Sequence, residues 1–373
     1  MSQRNIFIFI LLGAVSSPVV YAFQLGTLDI KPVVSIKEKF DDNVRYSETN
    51  KISDWVMFLS MGLEGKRETK VDTLSFNGSI LQKIFGKEND LNGLSQQLGL
   101  KYKRDLSAYD RVTVSNNFTH ADEATTLEDE FGRVAGRYNY YKNFLKLGLE
   151  HDFTEQLTGK LRYANETYSA SINTVSDSVL NRPGMELAYA FSSRTIGSVS
   201  YDYANRAFDP DGTVHIHTTQ GGIRQFLTNQ VYVDVKAGIN QITTTDDRHT
   251  TKPNFLVGIY NDIDPTTQVG LTFSRSYDVA YSYSELFNNW NANLFWSRQL
   301  TSRLNLTLAG FSGAGKFDSG VKDKFNGVNT SLEYELKENI KSNLGYSFTR
   351  SDSSQAGSDY DKNTVFMGIT VEF

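Results

Sequence analysis

Thr364-Val365-Phe366-Met367-Gly368-Ile369-Thr370-Val371-Glu372-Phe373 ends the chain, and it alternates. In an extended strand successive side chains point to opposite faces. Val365, Met367, Ile369, Val371 and Phe373 therefore share one face, while Thr364, Gly368, Thr370 and Glu372 share the other. The same two-residue rhythm recurs in Trp55-Val56-Met57-Phe58-Leu59, in Val231-Tyr232-Val233-Asp234-Val235 and in Leu304-Asn305-Leu306-Thr307-Leu308. Few segments have the spacing, caps and length of an amphipathic helix, so the pattern predicts an almost purely β protein.

Composition narrows the class. The 373 residues are 39% hydrophobic and 13% aromatic, with 24 Phe, 20 Tyr, 28 Gly, 6 Pro and no Cys. So many aromatic residues argue against disorder. The lack of cysteine excludes disulfide scaffolds and Cys-based zinc or redox sites. Beyond the N-terminus no apolar run reaches the length of a membrane helix. A formal charge of −5 offers no basic footprint, so nucleic acid is not expected as a partner.

The N-terminus reads as an export signal. A short basic stretch containing Arg4 precedes the apolar run Ile6–Val20, and Val20-Tyr21-Ala22 has the small-residue spacing of a cleavage site. Residues 1–22 are predicted to be a signal peptide, leaving a mature chain of 23–373.

Breaks between the alternating runs come in two kinds that take turns along the chain. Short ones, such as Phe153-Thr154-Glu155-Gln156-Leu157 and Leu300-Thr301-Ser302-Arg303, suit tight hairpins. Longer, charged or Gly-rich ones cover 41–54, 121–136, 171–182, 209–213 and 351–362. That asymmetry is expected of an outer-membrane barrel, with short periplasmic turns and longer extracellular loops. The expected strands are 28–40, 55–65, 70–84, 94–104, 111–121, 137–152, 158–170, 184–192 and 196–207. They continue with 214–226, 230–243, 253–262, 268–280, 288–299, 303–316, 326–336, 341–351 and 363–373. The fold class is thus all-β, a transmembrane antiparallel β-barrel of about eighteen strands with sixteen as the alternative. A closed sheet pairs every backbone group, as lipid demands, and leaves alternate residues free to be polar. The outer membrane of a bacterial cell is the expected location, with membrane lipid and lipopolysaccharide as surroundings.

Alternation also assigns faces. Met57, Leu59, Met61, Leu63, Leu145, Leu147, Leu149, Met185, Leu187, Tyr189, Val233, Val235, Leu306, Leu308 and Leu332 are expected to face lipid. Trp55, Tyr102, Tyr138, Trp290, Trp296 and Tyr346 are expected in the interfacial girdles. The pore-lining candidates are Lys37, Glu64, Lys66, Lys101, Lys146, Glu150, Arg162, Glu166, Asp202, Asp234, Lys236, Arg303, Glu333 and Glu335. Between them lie neutral groups such as Ser75, Asn77, Asn291 and Asn329. Mixed charge with hydroxyls and amides suits a hydrated or sugar-like solute and shows no single-sign ion filter.

Site chemistry of other kinds is sparse. Five histidines (His120, His151, His215, His217 and His249) come without a serine motif, and catalysis is not expected. His215 and His217, two apart on one strand face, would need a further ligand to hold a metal. Asp122, Glu123, Glu128-Asp129-Glu130 and Asp209-Pro210-Asp211-Gly212 carry oxygen ligands of the kind Ca²⁺ takes, although Asp-Pro-Asp-Gly is also turn chemistry. No cofactor and no metal are expected. The loop 121–136, third at its rim in chain order, is long enough to fold into the lumen.

Two motifs extend the reading. The final Phe373, with Val371 and Gly368 before it, resembles the signal that barrel-assembly machinery reads on a last strand, although Phe366 stands where a polar residue is more usual. Near the other end come Lys31-Pro32-Val33-Val34, Lys39-Phe40-Asp41-Asp42-Asn43-Val44 and Ser53-Asp54-Trp55. A proline-containing opening strand, an aromatic-Asp-Asp-Asn turn and a Ser-Asp pair resemble the β-barrel porin 2 family. The motif covers about twenty-five residues, and the Pro-Gly often found in the next strand is replaced by Phe58-Leu59-Ser60-Met61-Gly62. The resemblance implies an outer-membrane barrel. Some members are associated with exopolysaccharide biosynthesis and secretion, so the resemblance further implies exopolysaccharide export with polysaccharide-secretion components as partners. The width of the barrel and its polar wall lead to passage of a hydrophilic solute of the saccharide class. A barrel plugged by its own loops and serving an envelope assembly is the alternative.

Overall fold

The computed structural model describes residues 23–264, 266–280 and 285–373; the predicted signal segment lies outside them. A three-residue strand β1 (Phe23–Leu25) leads into β2 (Leu28–Asp41), β3 (Asp54–Glu68), β4 (Asp72–Phe85), β5 (Gly93–Asp105) and β6 (Asp110–Ala121). Next come β7 (Tyr140–Asp152), β8 (Leu157–Ala170), β9 (Asp177–Ser192), β10 (Thr195–Asp209), β11 (Gly212–Phe226) and β12 (Val231–Thr243). The last are β13 (His249–Asp264), β14 (Thr267–Ala280), β15 (Glu285–Thr301), β16 (Leu304–Phe317), β17 (Lys322–Lys337), β18 (Ile340–Ser353) and β19 (Tyr360–Glu372).

Each strand from β2 to β19 pairs antiparallel with its sequence neighbour, and β19 pairs with β2 from Thr364↔Asp41 to Glu372↔Val33. The result is a closed barrel of eighteen strands, with β1 added as a short hairpin on β2. Closure removes the unpaired edge that lipid cannot tolerate.

The pairings fix which way each residue points. Lys37 lies opposite Phe58 and Gly368, and Phe58 lies opposite Lys83, so these share the lumen face. Met57, Leu59, Met61 and Leu63 take the other face, where Met61 is 69% exposed in the isolated barrel. Met185, Leu187, Tyr189, Val235 and Leu332 are likewise exposed on the outside. A continuous apolar exterior over a closed antiparallel sheet is the architecture of a bacterial outer-membrane protein.

The two rims differ. Eight short turns and both ends of the described chain lie at one rim, the periplasmic one. Five of these turns use the same device. Ser107, Thr154, Ser192 and Thr228 each accept two backbone amides at 3.0–3.2 Å with the side-chain oxygen, and Thr69 does so at 3.0 and 3.3 Å. The opposite rim carries the long loops 42–53 and 122–139.

Three expectations change. β9 begins at Asp177 and not at 184, because Pro183-Gly184 looks like a break but sits inside the strand. The β9–β10 ladder runs from Gly184↔Asp202 to Asn181↔Asn205 without change of register, so the missing Pro183 amide leaves a local gap in the pairing and not a break in the strand. The stretch 209–213 is a tight two-residue connection and not a long loop, since β10 and β11 pair up to Phe208↔Gly212. Tyr138 leaves the girdle for a buried cluster with Tyr140, Tyr168 and Val175.

Candidate functional site

The structure places thirteen of the fourteen pore-lining candidates on the inward register and Arg303 in the turn between β15 and β16, and it groups them unevenly. Glu150, Arg162, Asp202, Asp234 and Lys236 join a ladder of pairs across β6–β12. Arg111 bonds Glu150 and Asp152, Lys160 lies 3.0 Å from Glu150, and Arg162 lies 3.5 Å from Glu186 and 3.1 Å from Asp202. Lys236 reaches Glu186 at 3.4 Å, and Arg224 makes two 2.7 Å bonds to Asp234. Charges of both signs thus neutralise each other along the wall. Lys37 lies 4.8 Å from the centre of the Phe58 ring, and Lys146 lies 4.5 Å from that of Phe144. Glu166 sits higher, bonded to Arg206 at 2.7 Å. Arg303, Glu333 and Glu335 line one recess at the periplasmic rim, where Lys66 pairs with Glu68; Glu64 and Lys101 stand inward without joining the ladder.

The narrowing element is the loop 122–139, which folds into the lumen and not outward. Its first turn carries Asp122 and Glu123 into a group of cations that alternation alone had not singled out: Lys39 on β2, Lys83 on β4, Lys362 on β19 and Arg137 of the loop itself. Arg137 meets Glu123 at 2.8 Å and Asp122 at 3.1 Å, and its Nε donates to the Val44 carbonyl at 2.7 Å. Lys39 and Lys362 each approach Glu123 at 3.6 Å, and Lys83 bonds Asp122. Asp41 supplies the third carboxylate, 3.2 Å from Lys362. Burial alone would raise the Glu123 carboxyl, but Arg137, Lys39, Lys362 and Lys83 outweigh it and hold the group well below the ordinary carboxylate range. Of the acids read earlier as possible Ca²⁺ ligands, Asp122 and Glu123 are taken up by lysine and arginine, and Asp129 pairs with Lys142 at 3.1 Å. Asp211 bonds Ser176.

A one-turn helix, Leu127–Glu130, forms the tip. Thr126 caps it by accepting the Asp129 amide at 3.0 Å, and Glu128, Asp129 and Glu130 suit its positive end. Phe131 then drives into the wall, 5.1 Å from Phe287, 5.3 Å from Phe311 and 6.5 Å from Phe325 between ring centres. Room for this comes from lumen-facing glycines. A Cβ on Gly327 would stand 2.6 Å from Leu127, and one on Gly313 would stand 2.9 Å from Phe131. Tyr360 donates to Glu130 at 2.7 Å and completes the anchorage.

A second inward element comes from the β14–β15 hairpin. The β13–β14 pairing ends at Phe255↔Arg275, whereas β14 and β15 continue together to Ala280↔Glu285. Tyr277 and Leu286 of this extension are buried against Leu180, Ala204, Phe208, Val214, Ile216 and Ile242 of the β9–β12 wall. The hairpin and the loop touch through Phe287 and Phe131. Between the loop and the β7–β10 wall remains a recess of about 420 Å³, with Glu128, Asp129 and Arg133 facing Lys142, Glu166, Arg182 and Arg206. A further recess of about 720 Å³ lies on the other flank of the loop.

The motifs at the chain ends serve closure. Asp42 accepts the backbone amide and the side-chain amide of Asn363 across the β2–β19 seam. Asn43 donates to the carbonyls of Ser47 and Asp361 at 2.8 and 2.9 Å. Asp54 accepts the amides of Lys87 at 2.9 Å and Glu88 at 3.0 Å, so the Ser-Asp pair fixes the loop after β4. Phe373 donates its amide to the Pro32 carbonyl at 2.9 Å, Gly368 lies opposite Lys37 and Val371 opposite Val34. Phe366 points into the lumen, 5.2 Å from Lys37.

The histidines do not converge on a common site. His215 and His217 face outward and pair with the hydroxyls of Tyr203 at 2.8 Å and Tyr201 at 2.7 Å. His120 stacks on Tyr141, His151 pairs with Asp110, and His249 lies 3.0 Å from Thr243. Among the described residues no group of three metal-ligating side chains occurs.

Neither a protein-family profile nor a curated protein matches the sequence. Solved structures do resemble it in outline. OpdL of Pseudomonas aeruginosa is 14% identical, with 94% of this chain and 100% of that one covered and a TM-score of 0.47. OccAB4 of Acinetobacter baumannii is 12% identical over 92% and 98%, at 0.45. The siderophore receptor PirA of Pseudomonas aeruginosa is 9% identical over 92% and 80%, at 0.48. At such values the barrel assignment stands on the closed registers and the apolar exterior described above.

Proposed function

We propose that this barrel is a channel that passes a hydrophilic solute of the saccharide class across the outer membrane. One observation carries the reading: a loop anchored by ion pairs and a phenylalanine narrows the lumen without filling it, leaving recesses lined by hydroxyls, amides and opposed charges. An eighteen-stranded barrel is otherwise wide enough for water to flow freely. A narrowed, polar, charge-balanced passage selects by size and hydrogen bonding and favours neither ion sign. Export of an exopolysaccharide is the direction the Asp41-Asp42-Asn43 motif suggests, and it calls for polysaccharide-secretion partners at the periplasmic rim. No step of passage requires catalysis.

The contact of Phe131 with Phe287, joining the two inward elements, favours a second reading, in which the barrel is closed and serves an envelope assembly. Planar-bilayer recording decides between them. A channel gives discrete KCl conductance steps, and proteoliposomes carrying it swell in small sugars; a plugged barrel gives neither.

A further inference from the structure

We infer that an oblique row of aromatic rings, Phe226, Tyr232, Tyr260 and Phe295, is a saccharide-binding rail in the lumen wall, running from the periplasmic mouth to the underside of the folded-in loop. This deepens the channel reading and rests on it.

The row is set by register. Phe226 pairs across strands with Tyr232, Tyr232 with Tyr260, Tyr260 with Gly270, and Gly270 with Phe295. All four rings therefore lie on one line at right angles to the strands, on the inward face. Strands in such barrels tilt by about 35–45°, so a line across them climbs the wall. The strand limits agree with that climb. Phe226 is the last residue of β11 and Tyr232 the second of β12, whereas Phe295 lies well inside β15. The rings of Phe226 and Tyr232 are 5.5 Å apart, and those of Tyr232 and Tyr260 stack at 5.1 Å and 24°.

Arg224 lies 4.7 Å from the centre of the Tyr232 ring, but packing does not require the ring of Phe295. Phe85, Phe317 and Phe325 also point inward, and they are only 1–2% exposed because loops cover them. Phe295 points inward and is 42% exposed. An uncovered phenyl facing a water-filled lumen costs solvation with no return from the fold. Gly270 keeps the stretch between Tyr260 and Phe295 clear, since a Cβ there would meet only Tyr260, at 3.9 Å.

The surroundings select the ligand class. Tyr232, Tyr260 and Phe295 line the larger recess together with Gln268, Asn293 and Asn329 on the wall and with Thr126 of the loop opposite. A pyranose has an apolar face of C–H groups that settles on the negative face of a ring, and hydroxyls around its edge. Amides donate and accept at once, which is what those hydroxyls need. Phe226, Tyr232 and Tyr260 follow one another at 5.1–5.5 Å, and Phe295 stands one strand beyond Gly270, about a sugar's width further on, so a chain of sugars can pass from one ring to the next without leaving the wall.

The test uses the purified barrel in planar bilayers, with maltohexaose as probe. The expected result is reversible interruption of the current by maltohexaose. In Phe295→Ala the half-blocking concentration rises about tenfold, the size of one lost ring contact. Tyr260→Leu gives a rise in the same direction, and Phe191→Ala on the outer surface gives none. Absence of block, or equal block in wild type and Phe295→Ala, overturns the inference while leaving the channel reading intact. So does block by benzoate at lower concentration than maltohexaose with the same dependence on Phe295, which would make the row a site for aromatic solutes. Should no KCl current appear, the channel reading fails by itself. Calorimetric binding of maltohexaose to the detergent-solubilised barrel, lost in Phe295→Ala, then supports the rail, and no binding heat overturns it.

Discussion

Asp42 holds both the backbone amide and the side-chain amide of Asn363, each at 2.7 Å, across the seam where, among the described residues, the first and last long strands meet. Among the described residues the other pairings in the ring link neighbours along the chain, so closure falls on β2 and β19. The Asp42 amide donates to the Asn363 carbonyl at 3.1 Å and adds a third bond at that point. Asp42→Ala is expected to cost about 1–3 kcal/mol, the loss of charge-assisted hydrogen bonds. On unheated gels the folded band should convert to the unfolded one at a lower temperature than in wild type. An unchanged conversion temperature would show that the backbone ladder alone holds the seam.

The loop 122–139 should move when its socket is filled. In Gly327→Leu a side chain enters the space of Leu127, and overpacking of this kind costs about 1–3 kcal/mol. The loop is expected to leave the wall, raising single-channel conductance and exposing 122–139 to added protease. Phe131→Ala should act in the same direction by removing the ring held among Phe287, Phe311 and Phe325.

Glu123 and Glu130 should respond to pH with opposite signs. Glu123 is held below its ordinary value, so the anchorage it provides is present above about pH 4.5 and fails only as pH falls through its depressed native value. Burial, partly opposed by Lys362 and the Tyr360 hydroxyl, raises Glu130, and its carboxyl is most favourable when protonated. Its contribution is full below about 4.5 and lost as pH rises through the raised native value. Glu130→Gln should therefore flatten the rise in loop mobility on going from acid to neutral pH, whereas Glu123→Gln should loosen the loop at neutral pH. Hydrogen exchange of residues 122–139 reads both.

Removal of Phe373 should reduce assembly more than stability. Its outward side chain ends the alternating face of β19, and its amide bond to Pro32 is one of many at the seam. Cells producing the truncated chain are expected to hold less heat-modifiable barrel in the outer membrane, while the refolded protein melts within a few degrees of wild type. Equal membrane yields would remove the terminal aromatic from any part in assembly.

Much of this was legible in the alternation. Val365, Met367 and Ile369 on one face against Thr364 and Thr370 on the other required a half-buried strand, and repetition of that pattern required a barrel. The lumen face of Asp202 followed from the same rule, and the rule extended four residues further would have placed Arg206 beside Glu166. The destination of the loop was hidden for a physical reason. Its charges read as solvated, and their partners Lys39, Lys83 and Lys362 stand on three different strands. The docking of Phe131 depends on Gly313 and on Phe311 and Phe325, far along the chain, and local pattern carries no such information. Pro183-Gly184 misled because a proline signals a break, whereas here the strand keeps its register on both sides of Pro183 and stays paired to β8.

The Ser and Thr caps at the lower rim have a bearing on how the molecule tolerates rearrangement. Thr154, Ser192 and Thr228 each satisfy their own hairpin without help from any other part of the chain. Each two-strand unit is thus self-sufficient at its base, and the cylinder can be recut there. Joining residue 373 to residue 23 through a short linker and opening the backbone at 155, 193 or 229 leaves all the cross-strand partners in place, so circular permutants of this chain have a ready set of starting points.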